Sequence, residues 1–259
     1  MEINRPKAAA GFAAYVKNYD VSDGKIRLKI EHTYKVADLC ERIAKSEGCL
    51  PQQVDTAWLI GLLHDIGRFE QLKRFGTFID SESIDHAAFG ADLLFGEGLI
   101  REFVQEDFEN PLLERAIRTH SAFQLPEDFN RETMMFCNII RDADKIDIMR
   151  VNVESPLEEI YNVSTEKLRG DVISDRVLAS FFEEHATLRD YKKTAVDYIA
   201  GHISLVYELV YPYSIREAYR QGFLHKMMDF QSDNPQTREQ FQIIRQRVEN
   251  YLETKMKQI

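Results

Sequence analysis

Cysteine is scarce in this chain: three among 259 residues, with no CxxC pair. An odd number cannot pair completely within one chain, so a disulfide framework and a CxxC metal knuckle are both excluded. Cys40, Cys49 and Cys137 read as reduced thiols of a cytoplasmic protein, and Cys40 and Cys137 suit small core positions in apolar helical runs. No stretch approaches the ~20 apolar residues of a membrane-spanning helix. The opening MEINRPKAAAGFAAYVKNY has no uninterrupted apolar core before a cleavage site, which argues against a secretory signal. Positive charge is also in deficit: 33 Lys and Arg against 43 Asp and Glu give a net charge of −10. A general phosphate-backbone binder needs a basic face, so duplex nucleic acid is not the expected partner. A small anionic ligand stays compatible, because a pocket can be basic locally. Repeats, Gly/Ser linkers and low-complexity tracts are absent as well.

What the sequence has is helical periodicity. Residues 26–46 place Val36, Leu39 and Ile43 on one stripe. Residues 52–68, QQVDTAWLIGLLHDIGR, predict one strongly apolar helix crossing the core. Further helices are expected over 84–95, 97–107, 111–120 (Pro111 first, Asn110 as cap) and 131–150. The second part predicts a helix from Ser155 and Pro156, then helices over 174–186, 190–210, 213–229 and 235–257. In the last of these, Phe241, Ile244, Val248 and Tyr251 fall at helical spacing, open to internal packing or to a second copy of the chain. YDVSDGKIRLKI offers a short extended piece around its DG turn, too little to build a sheet on. The longest irregular region is expected over 69–83. The fold class is therefore all-α, and the length allows one large domain or two small ones.

Against this apolar background, polar residues recur on inward faces. His32 shares the stripe of Val36, Leu39 and Ile43. His64, followed at once by Asp65, shares that of Ala57 and Ile60. His120 follows Leu113, Ala116 and Ile117, and Asp144 lies among Cys137, Ile140 and Ile148. Each has a plain structural reading on its own: a satisfied core histidine, a His64–Asp65 hydrogen bond, Asp144 paired with Lys145 or Arg141, His86 capping a helix or pairing with Asp85, or His120 on a helix dipole. None of these readings explains the others. A carboxylate on an inward face is expensive unless it is paired or binds a metal. Mixed imidazole and carboxylate ligands on facing helices suit Fe, Mn, Ni, Co or Zn.

The order His32, His64-Asp65, Asp144 resembles the H…HD…D signature of the HD-domain superfamily of metal-dependent phosphohydrolases. LIGLLHDIGR at 59–68 is similar to that family's central helix, HTYKVA at 32–37 to its first-ligand helix, and RDADKID at 141–147 to its last. The resemblance covers about residues 25–152. It implies an HD-type helical core over 1–152, with residues 153–259 as additional C-terminal helices packed on it. It further implies that His32, His64, Asp65 and Asp144 hold one divalent metal. His86 and His120 stand where the two-metal branch has two more histidines, and Asp65 would then bridge. The metal is one of Fe, Mn, Co, Ni, Mg or Zn, one or two per chain. Asp142 is the rival of Asp144 for the last ligand.

The implied reaction is hydrolysis of a phosphate ester or anhydride of a nucleotide or related small molecule, by attack of a metal-bound hydroxide. Asp65, Arg68 and Lys145 would be its catalytic residues, with Arg68 on substrate phosphate as in the HDIGK variant. Arg118, Lys73 and Arg74 are further cations near the motifs, and Tyr34, Phe69, Phe75 and Phe78 are candidates to stack a base. The doubled histidine and GYP segment of the cyclic-dinucleotide phosphodiesterase branch are missing, and residues 153–259 match no pattern. The same ligands would serve a di-iron oxygenase or a non-catalytic metal-binding sensor.

Overall fold

Asn4 accepts a hydrogen bond from the Lys7 amide and Pro6 occupies the first turn, so helix α1 (Arg5–Val16) begins where orphan amides find a partner. Ala8, Phe12 and Val16, four residues apart, form its buried stripe. The sequence reading passed over this helix. Asp23 accepts from the Lys25 amide and starts α2 (Gly24–Ser46), so YDVSDGKIRLKI is turn and helix rather than an extended piece. The computed structural model describes residues 3–105 and 110–259, except for the side chain of Asn110. The expected Asn110 cap and the last residues of the helix expected over 97–107 lie outside the described residues. Among the described residues there is no strand, and no helix is long and apolar enough to cross a membrane. The chain is all-α.

Two compact units divide it, Met1–Asp144 and Lys145–Ile259. In the first, α3 (Pro51–Leu63) lies against α2. A Cβ on Gly61 would stand 2.7 Å from Ala37 Cα, so the two helices meet backbone to backbone. The single helix expected over 52–68 does not run through. Asp65 leaves helical geometry (φ −102°, ψ 17°), and the chain restarts as α4 (Ile66–Phe75). Tyr15 of α1 donates to the Ile66 carbonyl at 3.2 Å, tying α1 to the start of α4. The left-handed Gly76 (φ +70°) closes α4. The region expected to be irregular from 69 is thus helical to Phe75 and irregular only beyond it.

Asp85 caps α5 (His86–Ala91) through the amides of Ala87 and Ala88, and a wider π turn carries the chain from Asp92 to Gly96. The helix expected from 97 is only a short 3-10 turn over Leu99–Glu102. Gly67 of α4 meets Gly90 of α5, where a Cβ on Gly67 would stand 2.6 Å from the His86 carbonyl and 2.7 Å from the Gly90 nitrogen. Helix α6 (Asn110–Thr119) and helix α7 (Arg131–Glu154) follow. Both the division at Asp144 and the boundary expected after residue 152 fall inside α7.

The second unit holds α8 (Leu157–Tyr161), α9 (Thr165–Gly170), α10 (Asp175–Glu183), α11 (Ala195–Ile203), α12 (Pro212–Gln221), α13 (Phe223–Met228) and α14 (Pro235–Gln258). Pro156 is the cap of α8, one residue later than the expected Ser155. The helix expected over 190–210 is confined to α11 and a 3-10 turn, and Gly222 (φ +72°) divides the one expected over 213–229. Buried Asp197 accepts from the amides of Ser174, Lys193 and Thr194 and from the Ser174 hydroxyl, tying the starts of α10 and α11 together. Phe241, Ile244, Val248 and Tyr251 are buried in this unit, so the apolar stripe of α14 packs internally.

Candidate metal centre

Five helical segments of the first unit bring the six expected ligands together. His32 stands in the middle of α2, His64 and Asp65 at the break between α3 and α4, and His86 at the first position of α5. His120 directly follows α6, and Asp144 lies midway along α7. The four histidines and Asp65 are all buried. Their rings form a chain, with centroids 5.3 Å apart from His32 to His64, 5.0 Å from His64 to His120 and 4.9 Å from His120 to His86.

Three of these rings are oriented from behind. His64 Nδ1 lies 2.8 Å from the Gly61 carbonyl, and His120 Nδ1 lies 2.7 Å from the Ile117 carbonyl. His86 Nδ1 lies 2.8 Å from Asp80 Oδ2. These oxygens only accept, so each Nδ1 carries a proton and each ring turns its Nε2 inward, where the neutral form offers a lone pair. His64 Nε2 makes no hydrogen bond although it is buried. It lies 3.6 Å from Asp65 Oδ2 and 3.8 Å from Asp144 Oδ1. His32 Nε2 is 3.1 Å from Asp144 Oδ1 and 3.6 Å from Asp65 Oδ2.

The other oxygen of Asp65 faces a second group. Oδ1 is 3.4 Å from His86 Nε2 and 3.7 Å from His120 Nε2. Those two nitrogens stand 3.1 Å apart. Two imidazole lone pairs at that separation repel unless a proton or a cation lies between them. The donor set around Asp65 therefore fits divalent metal. His32, His64 and Asp144 offer atoms within 4.8 Å of one another, and so do His64, Asp65 and His120. Asp144, not its rival Asp142, belongs to the first of these groups.

Electrostatics supports the same reading. Burial pushes the imidazole pKa of His64 down to about 3 and, with Arg68 adding to the effect, that of His86 down to about 4. Both rings are neutral at pH 7, as metal ligation requires. Burial alone would raise the Asp65 carboxyl, but Lys29, His64 and Arg68 outweigh it and hold it well below the ordinary range. Asp144 is likewise held low against burial, chiefly by His32.

Lys29, absent from the sequence reading, is in direct contact with the cluster: its Nζ lies 2.7 Å from Asp65 Oδ2. It stands on α2 one turn before His32, and that one-turn spacing was the available signal. Arg68 reaches the cluster from the other side, with Nε 3.6 Å from Asp65 Oδ1, buried and without a hydrogen bond. Its Nη1 is engaged by the Phe78 carbonyl (2.6 Å), Asp80 Oδ1 (2.8 Å) and Gln71 Oε1 (2.9 Å).

Lys145 is buried and follows Asp144 on α7. The remaining expected cations have other partners: Arg118 pairs with Asp92 and Glu114, and Lys73 and Arg74 with Glu70 on the exposed side of α4. Of the aromatics, Phe69 is core, packed against Phe12, Tyr15 and Tyr19. Tyr34 packs edge-on against Phe12, and Phe75 is exposed. Phe78 is nearest the cluster, its ring centre 5.6 Å from Lys29 Nζ and 5.9 Å from Arg68 Cζ. The suspected partnership of His86 with Asp85 is corrected: Asp85 caps α5, and Asp80 holds the imidazole.

A helical core thus gathers four histidines and two aspartates in the chain order H, HD, H, H, D. The family model described as the HD domain matches residues 30–149, a little under half of the chain, and over that stretch the chain is similar to an HD domain. A 3'3'-cGAMP-specific phosphodiesterase 1 of Vibrio cholerae serotype O1 is 28% identical over 100 residues, which are 35% of this chain and 23% of that protein. The chain thus spans about a quarter of the length of this curated relative. No solved structure matches the chain significantly.

Proposed function

We propose that this protein is a metal-dependent phosphohydrolase, cleaving a phosphate ester or anhydride of a nucleotide or related small molecule. The observation that carries the proposal is the inward convergence of imidazole lone pairs on the two oxygens of one buried carboxylate. Three Nδ1 protons are committed to Gly61, Ile117 and Asp80, so the Nε2 atoms are acceptors with no donor to share. His32, His64, Asp65 and Asp144 would hold one divalent ion, and Asp65, His86 and His120 a second. When bound, such ions polarise phosphoryl oxygens and lower the pKa of water toward neutrality. The mixed nitrogen and oxygen donor set suits Mn, Fe, Co, Ni or Zn.

The chain's own residues supply the rest. Asp65 places one oxygen on each side of the centre. Lys29 and Arg68 bring positive charge to within 4 Å of that carboxylate, where charge on a transferring phosphoryl group would be stabilised. Lys145, next to Asp144 in sequence, is the third candidate cation. The burial of the ligand side chains keeps bulk water from screening these charges. The HD-domain match supports the reaction class, and the Vibrio relative's named activity supports a nucleotide phosphodiester among the substrates to test.

The test is elemental analysis of untagged protein purified without chelator, followed by phosphate or nucleotide release from a panel of nucleotides and phosphodiesters. Metal near two ions per chain and turnover of at least one phosphate substrate are expected. Asp65→Ala should lose metal and turnover to background while circular dichroism stays helical. Oxygen uptake with ferrous iron and no phosphate chemistry would overturn the proposal.

A further inference from the structure

Asp80 lies on the loop beyond α4, outside every motif of the sequence, yet its side chain is only 8% exposed. Both of its oxygens are in use. Oδ2 accepts from His86 Nδ1 at 2.8 Å, and Oδ1 accepts from Arg68 Nη1 at 2.8 Å and from Gln71 Nε2 at 3.1 Å. The two side chains it holds point at the same atom: His86 Nε2 and Arg68 Nε lie 3.4 and 3.6 Å from Asp65 Oδ1.

The local backbone fixes Asp80 in turn. It opens a one-turn 3-10 segment, Asp80–Glu82, and the Ser83 hydroxyl donates back to the Ile79 carbonyl at 2.8 Å. Fully buried Gln71 reaches from α4 to the Ser83 hydroxyl (2.8 Å) and the Ile84 carbonyl (3.0 Å). Capping α5 does not account for the Asp80 carboxylate, because Asp85 already serves the Ala87 and Ala88 amides at the start of that helix.

We propose that Asp80 is a positioning residue of the metal centre, aiming His86 and Arg68 together at Asp65 Oδ1. The inference rests on the metal-dependent reading above and deepens it at one of the two metal positions. A carboxylate behind a ligating imidazole fixes its tautomer and ring angle and raises its basicity, and loss of such a partner typically costs 10- to 100-fold in metal affinity. The effect is one-sided. The imidazole and guanidinium that Asp80 holds both face Asp65 Oδ1, whereas His32 and His64 face Oδ2, so the loss should fall chiefly at the His86 position.

The test uses the full chain, stripped with chelator and titrated with Mn2+ alone. Bound metal is counted after desalting, and the two affinities are read by calorimetry. Wild type should bind two ions. Asp80→Ala should leave one of the two affinities near wild type and weaken the other about 10- to 100-fold. Asp80→Asn keeps an acceptor for His86 and loses the charge that holds Arg68, so its second affinity should fall between the two. The asparagine variant is nearly isosteric and keeps the test valid if the alanine variant does not fold. Two ions bound with wild-type affinities in either variant would overturn the inference, as would an equal loss at both positions, the signature of general destabilisation. Fewer than two ions in the wild type would strike the two-metal reading itself, and this inference with it, before any variant is examined.

Discussion

Asp65 is compensated by an unusual set of neighbours. It is buried, yet it is held ionised by one ammonium at hydrogen-bond distance and by a guanidinium further out, with four imidazoles crowded around it. Lys29 makes the shortest of these contacts, with its Nζ 2.7 Å away and its side chain 18% exposed. Removing one partner of a buried pair leaves an uncompensated charge and typically costs ~3–5 kcal/mol, less where water can reach. Lys29→Met should therefore lower the urea-unfolding free energy of chelated protein by about 2–4 kcal/mol. Saturating Mn2+ should recover part of that loss by supplying positive charge at the same carboxylate. An unchanged urea midpoint would show that the Lys29 contact carries no stability. At this scale the sequence was highly legible for ligand identities, because His and Asp on apolar stripes stand out against their surroundings. It was silent on Lys29 and Asp80. A lysine on a mixed helix face and an aspartate in a polar loop look like solvent-facing residues until their partners are seen.

The helix break at His64-Asp65 does what one straight helix could not. By leaving helical geometry at Asp65, the chain turns that carboxylate inward beside His64 and redirects α4 toward α5. Periodicity alone predicted one continuous helix here, because apolar residues dominate both sides of the break, no Pro marks it, and the N-cap Asp65 makes no side-chain capping bond. The loop after it was misplaced for the same reason: the α4 sequence FEQLKRF is polar on one face only. The two glycines flanking the break are the readable trace. Gly61 lets α3 touch α2, and Gly67 lets α4 touch α5, where the atoms facing a new Cβ are all backbone and cannot yield. Overpacking of this kind costs ~1–3 kcal/mol, occasionally more. Gly67→Ala should lower stability by at least that amount in denaturant melts and weaken metal binding through displacement of His86. Gly96→Ala, with nothing within 4 Å of its Cβ and no positive φ, is the control and should change little.

At the scale of the whole molecule, all six candidate ligands fall in the unit ending at Asp144, and so does the single tryptophan, Trp58 on α3. Trp58 fluorescence therefore follows that unit's unfolding without contribution from the other. A ligand at one hundred times its Kd stabilises by about 2.7 kcal/mol, which for a unit of this size corresponds to a rise of roughly 5–15 °C in Tm. Saturating Mn2+ should move the Trp58 transition by that order relative to chelated protein, and a static transition would contradict the centre. The all-α class was readable from periodicity, whereas the division inside α7 was not, since a continuous helical pattern carries no mark where packing partners change. The spread of the ligands also bears on synthesis. Asp144 follows His32 by more than one hundred residues, and closing so long a segment of chain costs entropy that only completed packing offsets. A nascent chain leaving the ribosome would thus display its histidines singly, with no pocket able to retain an ion. Only once α7 has emerged and docked can the set close, so cellular metal would be captured by finished copies and spared by fragments.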